Sequence, residues 1–153
     1  MTDRSDMETA NWIELMDVAK EAVADFCGIK PEEVRVSENG NIGIDKLGSG
    51  CIYLGAQIDL PAFVFMSIVL SEVKDKPLVY KALNQVNSGI TLGQFSFDDG
   101  EVWFCYKLLV DEPTPELVTS ALGEVLELVD DYGDALKVRL GGKTFNNVDE
   151  DEV

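Results

Sequence analysis

Three stretches of the sequence have spacing that could carry chemistry. Gly141-Gly142-Lys143-Thr144 resembles the tail of a phosphate-binding P-loop, but the glycine required five positions before Gly142 is Lys137, inside a stretch with helical periodicity. Gly48-Ser49-Gly50 resembles the start of a dinucleotide fingerprint, yet Tyr53 stands where the third glycine belongs and a strand pattern follows instead of a helix. Asp130, Asp131 and Asp134 are dense enough to suggest calcium, but they lack the alternating ligands and distal glutamate of an EF-hand loop, and a solvated helix face accounts for them. All three read as turns or surface.

The residue inventory narrows the chemistry further. The chain contains no histidine, which excludes Ser-His-Asp and Cys-His catalysis and removes the usual imidazole metal ligand. Cys27, Cys51 and Cys105 are widely spaced, form no CxxC and sit among apolar neighbours, as buried thiols do; neither zinc nor any other cofactor is expected. A carboxylate pair could still act as acid and base, but with 29 acidic residues such pairs arise by chance. An enzyme is the least supported reading.

Twelve basic residues against 29 acidic ones give a net charge of −17, a field that repels phosphate backbones and anionic headgroups. Nucleic acid and membrane surfaces are poor partners. The charge serves solubility or steers a basic partner, and the second possibility keeps open an acidic inhibitor or immunity-type protein that neutralises a basic enzyme. No signal peptide or membrane-spanning run is expected, and the three unpaired cysteines suit a reducing cytoplasm.

The elements that would position any site follow from periodicity. One domain of 142 residues is expected, followed by a disordered acidic tail over 143–153 that should be dispensable for stability. Ser5 and Glu8 have capping-box spacing, and Trp12, Leu15, Met16, Ala19, Val23 and Phe26 form the apolar stripe of a first helix over about 6–27, stopped by Gly28. Asn39-Gly40 reads as a two-residue hairpin turn joining strands at 34–37 and 41–46. Two more strands follow, at 51–59 and 62–73, and the second is apolar on both faces, so both need cover. Pro77 opens a short helix that Ser88-Gly89 closes, and a hairpin turning at Asp98-Asp99-Gly100 joins strands at 90–97 and 102–110. Thr114 as N-cap with Pro115 behind it starts a third helix that runs to Gly141-Gly142. The class is α+β, a single antiparallel sheet packed with helices in the order α-β-β-β-α-β-β-α, the short arm at 34–37 not being counted as a strand of its own.

This order, with Leu83-Asn84 and Asn87 on the second helix, Gly93-Gln94-Phe95 entering the hairpin, the Asp-Gly turn before Val102-Trp103, and the terminal Leu140-Gly141-Gly142, resembles the YbjN-type domain, a bacterial sensory transduction regulator domain. Its fold is similar to that of the class I type III secretion chaperones. The resemblance covers about residues 42–142. It implies a non-enzymatic homodimer that binds a protein or an extended peptide, with no catalytic residues to carry over. Phe63, Phe65, Met66, Leu83 and Trp103 are the candidate interface or core residues, chosen from the two-sided strand, the short helix and the hairpin.

Overall fold

The computed structural model describes residues 4–44, 51–57 and 61–144. The expected tail lies outside the described residues apart from Lys143 and Thr144. Helix α1 (Arg4–Cys27) and a 3-10 turn at Pro31–Glu33 precede strands β1 (Ile42–Ile44), β2 (Ile52–Gln57) and β3 (Ala62–Leu70). Helix α2 (Pro77–Gly89), the hairpin of β4 (Gln94–Asp98) and β5 (Glu101–Leu109), and helix α3 (Pro115–Leu140) complete the chain. The five strands form one antiparallel sheet in the order β1-β2-β3-β5-β4. The expected class and element order are those observed.

Helix α3 begins where the sequence places it. Pro115 occupies the first turn, where its missing N–H costs nothing, and the Thr114 hydroxyl accepts a hydrogen bond from the Leu117 N–H at 3.4 Å. The helix buries Val118, Ala121, Leu122, Val125, Val129, Gly133, Leu136 and Leu140, one continuous stripe laid on the sheet and on α1. Its contact with β3 is close at Gly133, where a Cβ would stand 3.2 Å from Val69 Cγ1. Gly141 closes it with a backbone hydrogen bond to the Lys137 carbonyl, and the chain then bridges back to the end of β3 through paired bonds between Ser71 and Lys143 of 2.8 and 2.9 Å.

Asp99 and Gly100 both adopt positive φ, the conformation a two-residue type I′ turn requires, so the β4–β5 hairpin is as expected. The first hairpin differs. The Gly40 N–H bonds to the Ser37 carbonyl and the Ser37 N–H to the Asn41 carbonyl, which makes a three-residue loop, and the arm 34–37 pairs with β1 at a single bridge, Val36 to Ile42. Trp12 of α1 packs on this loop, its Cζ2 3.3 Å from the position of a Cβ on Gly40. β4 starts at Gln94 and not at Ile90, because Gly93 takes φ +88 and lies on the Phe104 ring, where any side chain would collide.

All three helices lie on one face of the sheet. Phe63, Phe65, Phe104 and Tyr106 point into that core from β3 and β5, with Phe65 and Tyr106 edge to face at 5.8 Å. Helix α2 covers the same face at the β4 edge: Tyr80 packs on Phe97, while Phe95 reaches Tyr132 of α3. Among the described residues no helix is long and apolar enough to cross a membrane.

Candidate functional site

The period of β3 splits its apolar residues between two environments. Phe63, Phe65 and Ser67 turn toward the helices and are wholly buried, whereas Val64, Met66 and Ile68 turn outward, and Met66 is 38% exposed. The strand is apolar on both sides, but this domain's own helices cover one side only. The register then lines up the outward residues across all five strands: Gly43 faces Tyr53, Tyr53 faces Met66, Met66 faces Cys105, and Cys105 faces Gln94. One step along, Ile68 faces Trp103, which faces Ser96. Cross-strand neighbours on one face lie about 5 Å apart, so Tyr53, Met66, Cys105, Ile68 and Trp103 make a continuous apolar patch.

A cavity of about 440 Å³ opens on this patch, floored by Tyr53, Met66 and Trp103 and rimmed by Ser37, Asn39 and Asn41 from the first hairpin. The floor is apolar; the rim offers hydroxyl and amide groups that both donate and accept hydrogen bonds. The neighbouring Cys51 sulfur and partial burial raise the Tyr53 phenol above its ordinary pKa, so it stays a neutral hydroxyl. Burial likewise raises the Cys105 thiol, opposed by Lys107, which keeps it from being a ready nucleophile. Among the described residues no group of histidine, cysteine and carboxylate side chains could hold a metal ion.

Of the five candidate residues, the structure brings Met66 and Trp103 together on the open face. Phe63 and Phe65 lie in the core on the opposite side of the same strand. Leu83 is 5% exposed and packs beneath α2 with Val79 and Ala82; the apolar residues that α2 leaves outside are Leu78 and Tyr80. Sequence reasoning missed Tyr53 and the asparagine rim. Tyr53 was legible as the outward member of an alternating strand, but its meeting with Met66 depends on a register that only the paired strands reveal.

Asn87, near the end of α2, does not line the groove but limits the sheet. Its side-chain amide donates to the Phe95 carbonyl at 2.9 Å and accepts from the Phe95 N–H at 2.7 Å, taking the place a sixth strand would occupy beside β4.

Comparisons with known proteins agree with this architecture. The model of the family described as "T3SS (YopN, CesT) and YbjN peptide-binding chaperone 1" matches residues 14–148. A search of curated proteins found no match. Among solved structures, a chain in the crystal structure of the ExsC-ExsE complex superposes with a TM-score of 0.64 at 15% identity, covering 82% of this chain and 96% of that one. A chain of the HopA1-SchA chaperone-effector complex gives a TM-score of 0.59 at 14% identity, with 88% and 99% covered. A chain of the heterodimeric ExoU-SpcU complex from the type III secretion system of Pseudomonas aeruginosa gives 0.54 at 15% identity, with 80% and 97% covered. The fold is shared with these structures across nearly their whole length, and the chain belongs to the TY-Chap1 family of peptide-binding chaperones.

Proposed function

We propose that the chain is a non-enzymatic, chaperone-like module that holds an extended segment of a client protein against the uncovered face of its sheet and works as a two-fold homodimer. The observation that carries the reading is the outward row of Tyr53, Met66 and Trp103 under a polar asparagine rim, an apolar floor with hydrogen-bonding edges. An extended segment presents alternate side chains to such a floor and its backbone to such a rim. The chaperone-effector complex among the similar structures and the peptide-binding family support a protein or peptide as the partner. The absence of histidine supports a binding role over a catalytic one. Pairing across α2 is supported by its exposed Leu78 and Tyr80.

Two measurements test this. Light scattering coupled to size exclusion reads the mass at micromolar concentration, and a monomer there refutes the dimer. Binding to an array of extended peptides, compared between the parent chain and Met66→Lys, tests the face. Met66 is partly exposed, so the change should leave the fold intact and weaken peptide binding by about tenfold, or about 1.4 kcal/mol. Unchanged binding would place the client elsewhere.

A further inference from the structure

We propose that Asn41 is the residue by which the open face recognises an extended backbone: its side-chain amide pairs with one peptide unit of the client, accepting from the N–H and donating to the C=O. The proposal rests on the peptide-binding reading and adds the polar group that holds the client there. Gly43 and Gly55 leave two gaps in the outward rows of β1 and β2, and Asn41 fills the second of them. A Cβ on Gly55 would collide with Asn41 Oδ1, so the amide lies on the open face where the strand's own side chain is missing. The backbone that carries it is held: the Asn41 N–H donates to Ser37 Oγ at 3.2 Å, and the Asn41 carbonyl accepts from the Ser37 N–H at 2.9 Å. The side-chain amide, by contrast, has no hydrogen-bond partner among the described residues.

The cavity that Asn41 lines determines what its amide can meet. The seven residues around it include no charged side chain, in a chain with 29 acidic residues, whereas the clefts that include Glu124, Glu21 and Glu33 each carry at least one carboxylate. Nothing there would pair an ion, and the floor of Tyr53, Met66 and Trp103 favours apolar side chains. A client whose apolar side chains face that floor brings its backbone with them, and a peptide group withdrawn from water needs partners for both its N–H and its C=O. An asparagine amide supplies an acceptor and a donor side by side. The fold already uses this pairing at the opposite edge of the sheet, where Asn87 accepts from the Phe95 N–H at 2.7 Å and donates to the Phe95 carbonyl at 2.9 Å. Asn41 stands beside β1 with the same two groups and no such partner among the described residues.

The test uses the isotope-labelled full chain and the peptide acetyl-Ser-Val-Leu-Val-Ser-amide, with counterparts each N-methylated at a single residue. In an NMR titration to about 1 mM the unmodified peptide should shift the signals of Tyr53, Met66 and Trp103 together with the Asn41 side-chain amide, and N-methylation at one position should weaken it about tenfold. Asn41→Ala removes a group that has no partner among the described residues, so its urea midpoint should match the parent's. It should bind the unmodified peptide about tenfold more weakly and be indifferent to that N-methylation, as expected when one interaction is removed from either side. Gly55→Ala keeps the asparagine but displaces its amide, and should lose the same discrimination. Equal weakening by N-methylation in the parent chain and in Asn41→Ala overturns the proposal, as does a parent chain indifferent to N-methylation at every position. Either result accompanied by shifts at Tyr53, Met66 and Trp103 leaves the open-face reading standing. Absence of those shifts counts against both.

Discussion

Replacing Asn87 with alanine should cost more than a substitution at a half-exposed helix position ordinarily does. The amide makes two short hydrogen bonds to the backbone of Phe95, a residue only 2% exposed, so its removal leaves one N–H and one C=O with poor access to water. A net hydrogen bond contributes about 1 kcal/mol, and an orphaned buried group costs about 1–3 kcal/mol. Asn87 itself is half-buried and some water can reach the gap, so the expected loss is about 2–4 kcal/mol for the pair. With a urea m-value of about 2 kcal/mol/M, the unfolding midpoint should fall by about 1–2 M. Asn87→Asp keeps an acceptor for the Phe95 N–H but sets a carboxylate against the Phe95 carbonyl, so it should be no more stable than the alanine variant. Asn84→Ala, exposed on the same helix, is the control and should change stability by less than about 0.5 kcal/mol. If the Asn87 and Asn84 variants unfold at the same urea concentration, the amide is not closing the β4 edge.

Among the described residues the buried Ser67 hydroxyl has no partner, so Ser67→Ala should be neutral or stabilising by about 1 kcal/mol in the same urea assay. Gly93→Ala combines an unfavourable φ with a collision against Phe104 and should destabilise by about 2–4 kcal/mol, seen as a lowered thermal midpoint. Burial, then the charge of Glu124 and its hydrogen bond, raise the Tyr106 phenol above its ordinary value of about 10. The folded state therefore keeps a proton that the unfolded chain has released. That contribution to stability is complete below pH ~10 and is lost as pH rises through the raised value, so Tyr106→Phe should flatten the alkaline limb of a stability profile.

Local signals were the legible part of this fold. Thr114-Pro115 announced the start of α3, Asp99-Gly100 the tight hairpin, and the stripe from Leu15 to Val23 the buried side of α1, because each depends on residues within a few positions of one another. The site was half legible. β3 reads as apolar on both sides, and nothing in its composition says which side the helices take. Its one polar residue, Ser67, lies on the covered side, where alternation alone would put an apolar one. Trp103 and Met66 could be named as candidates, but their convergence with Tyr53 depends on β3 and β5 being neighbours in the sheet although a helix and β4 separate them in the chain. The Asn87–Phe95 clasp was equally hidden, since an amide eight residues before a strand carries no sign of what it will reach.

The two tryptophans fall on different parts of this one-sided architecture. Trp12 packs from α1 against the loop at Gly40, and Trp103 stands on the open face beside Ile68. Each is half-buried, so the emission of each should respond to a change in its own surroundings. The chain thus carries a separate optical reporter for the helical layer and for the uncovered face. In a Trp12→Phe variant the remaining signal comes from Trp103 alone, so a change in its emission on adding a client reports occupancy of the open face, while silence there alongside measurable binding assigns the contact to another surface.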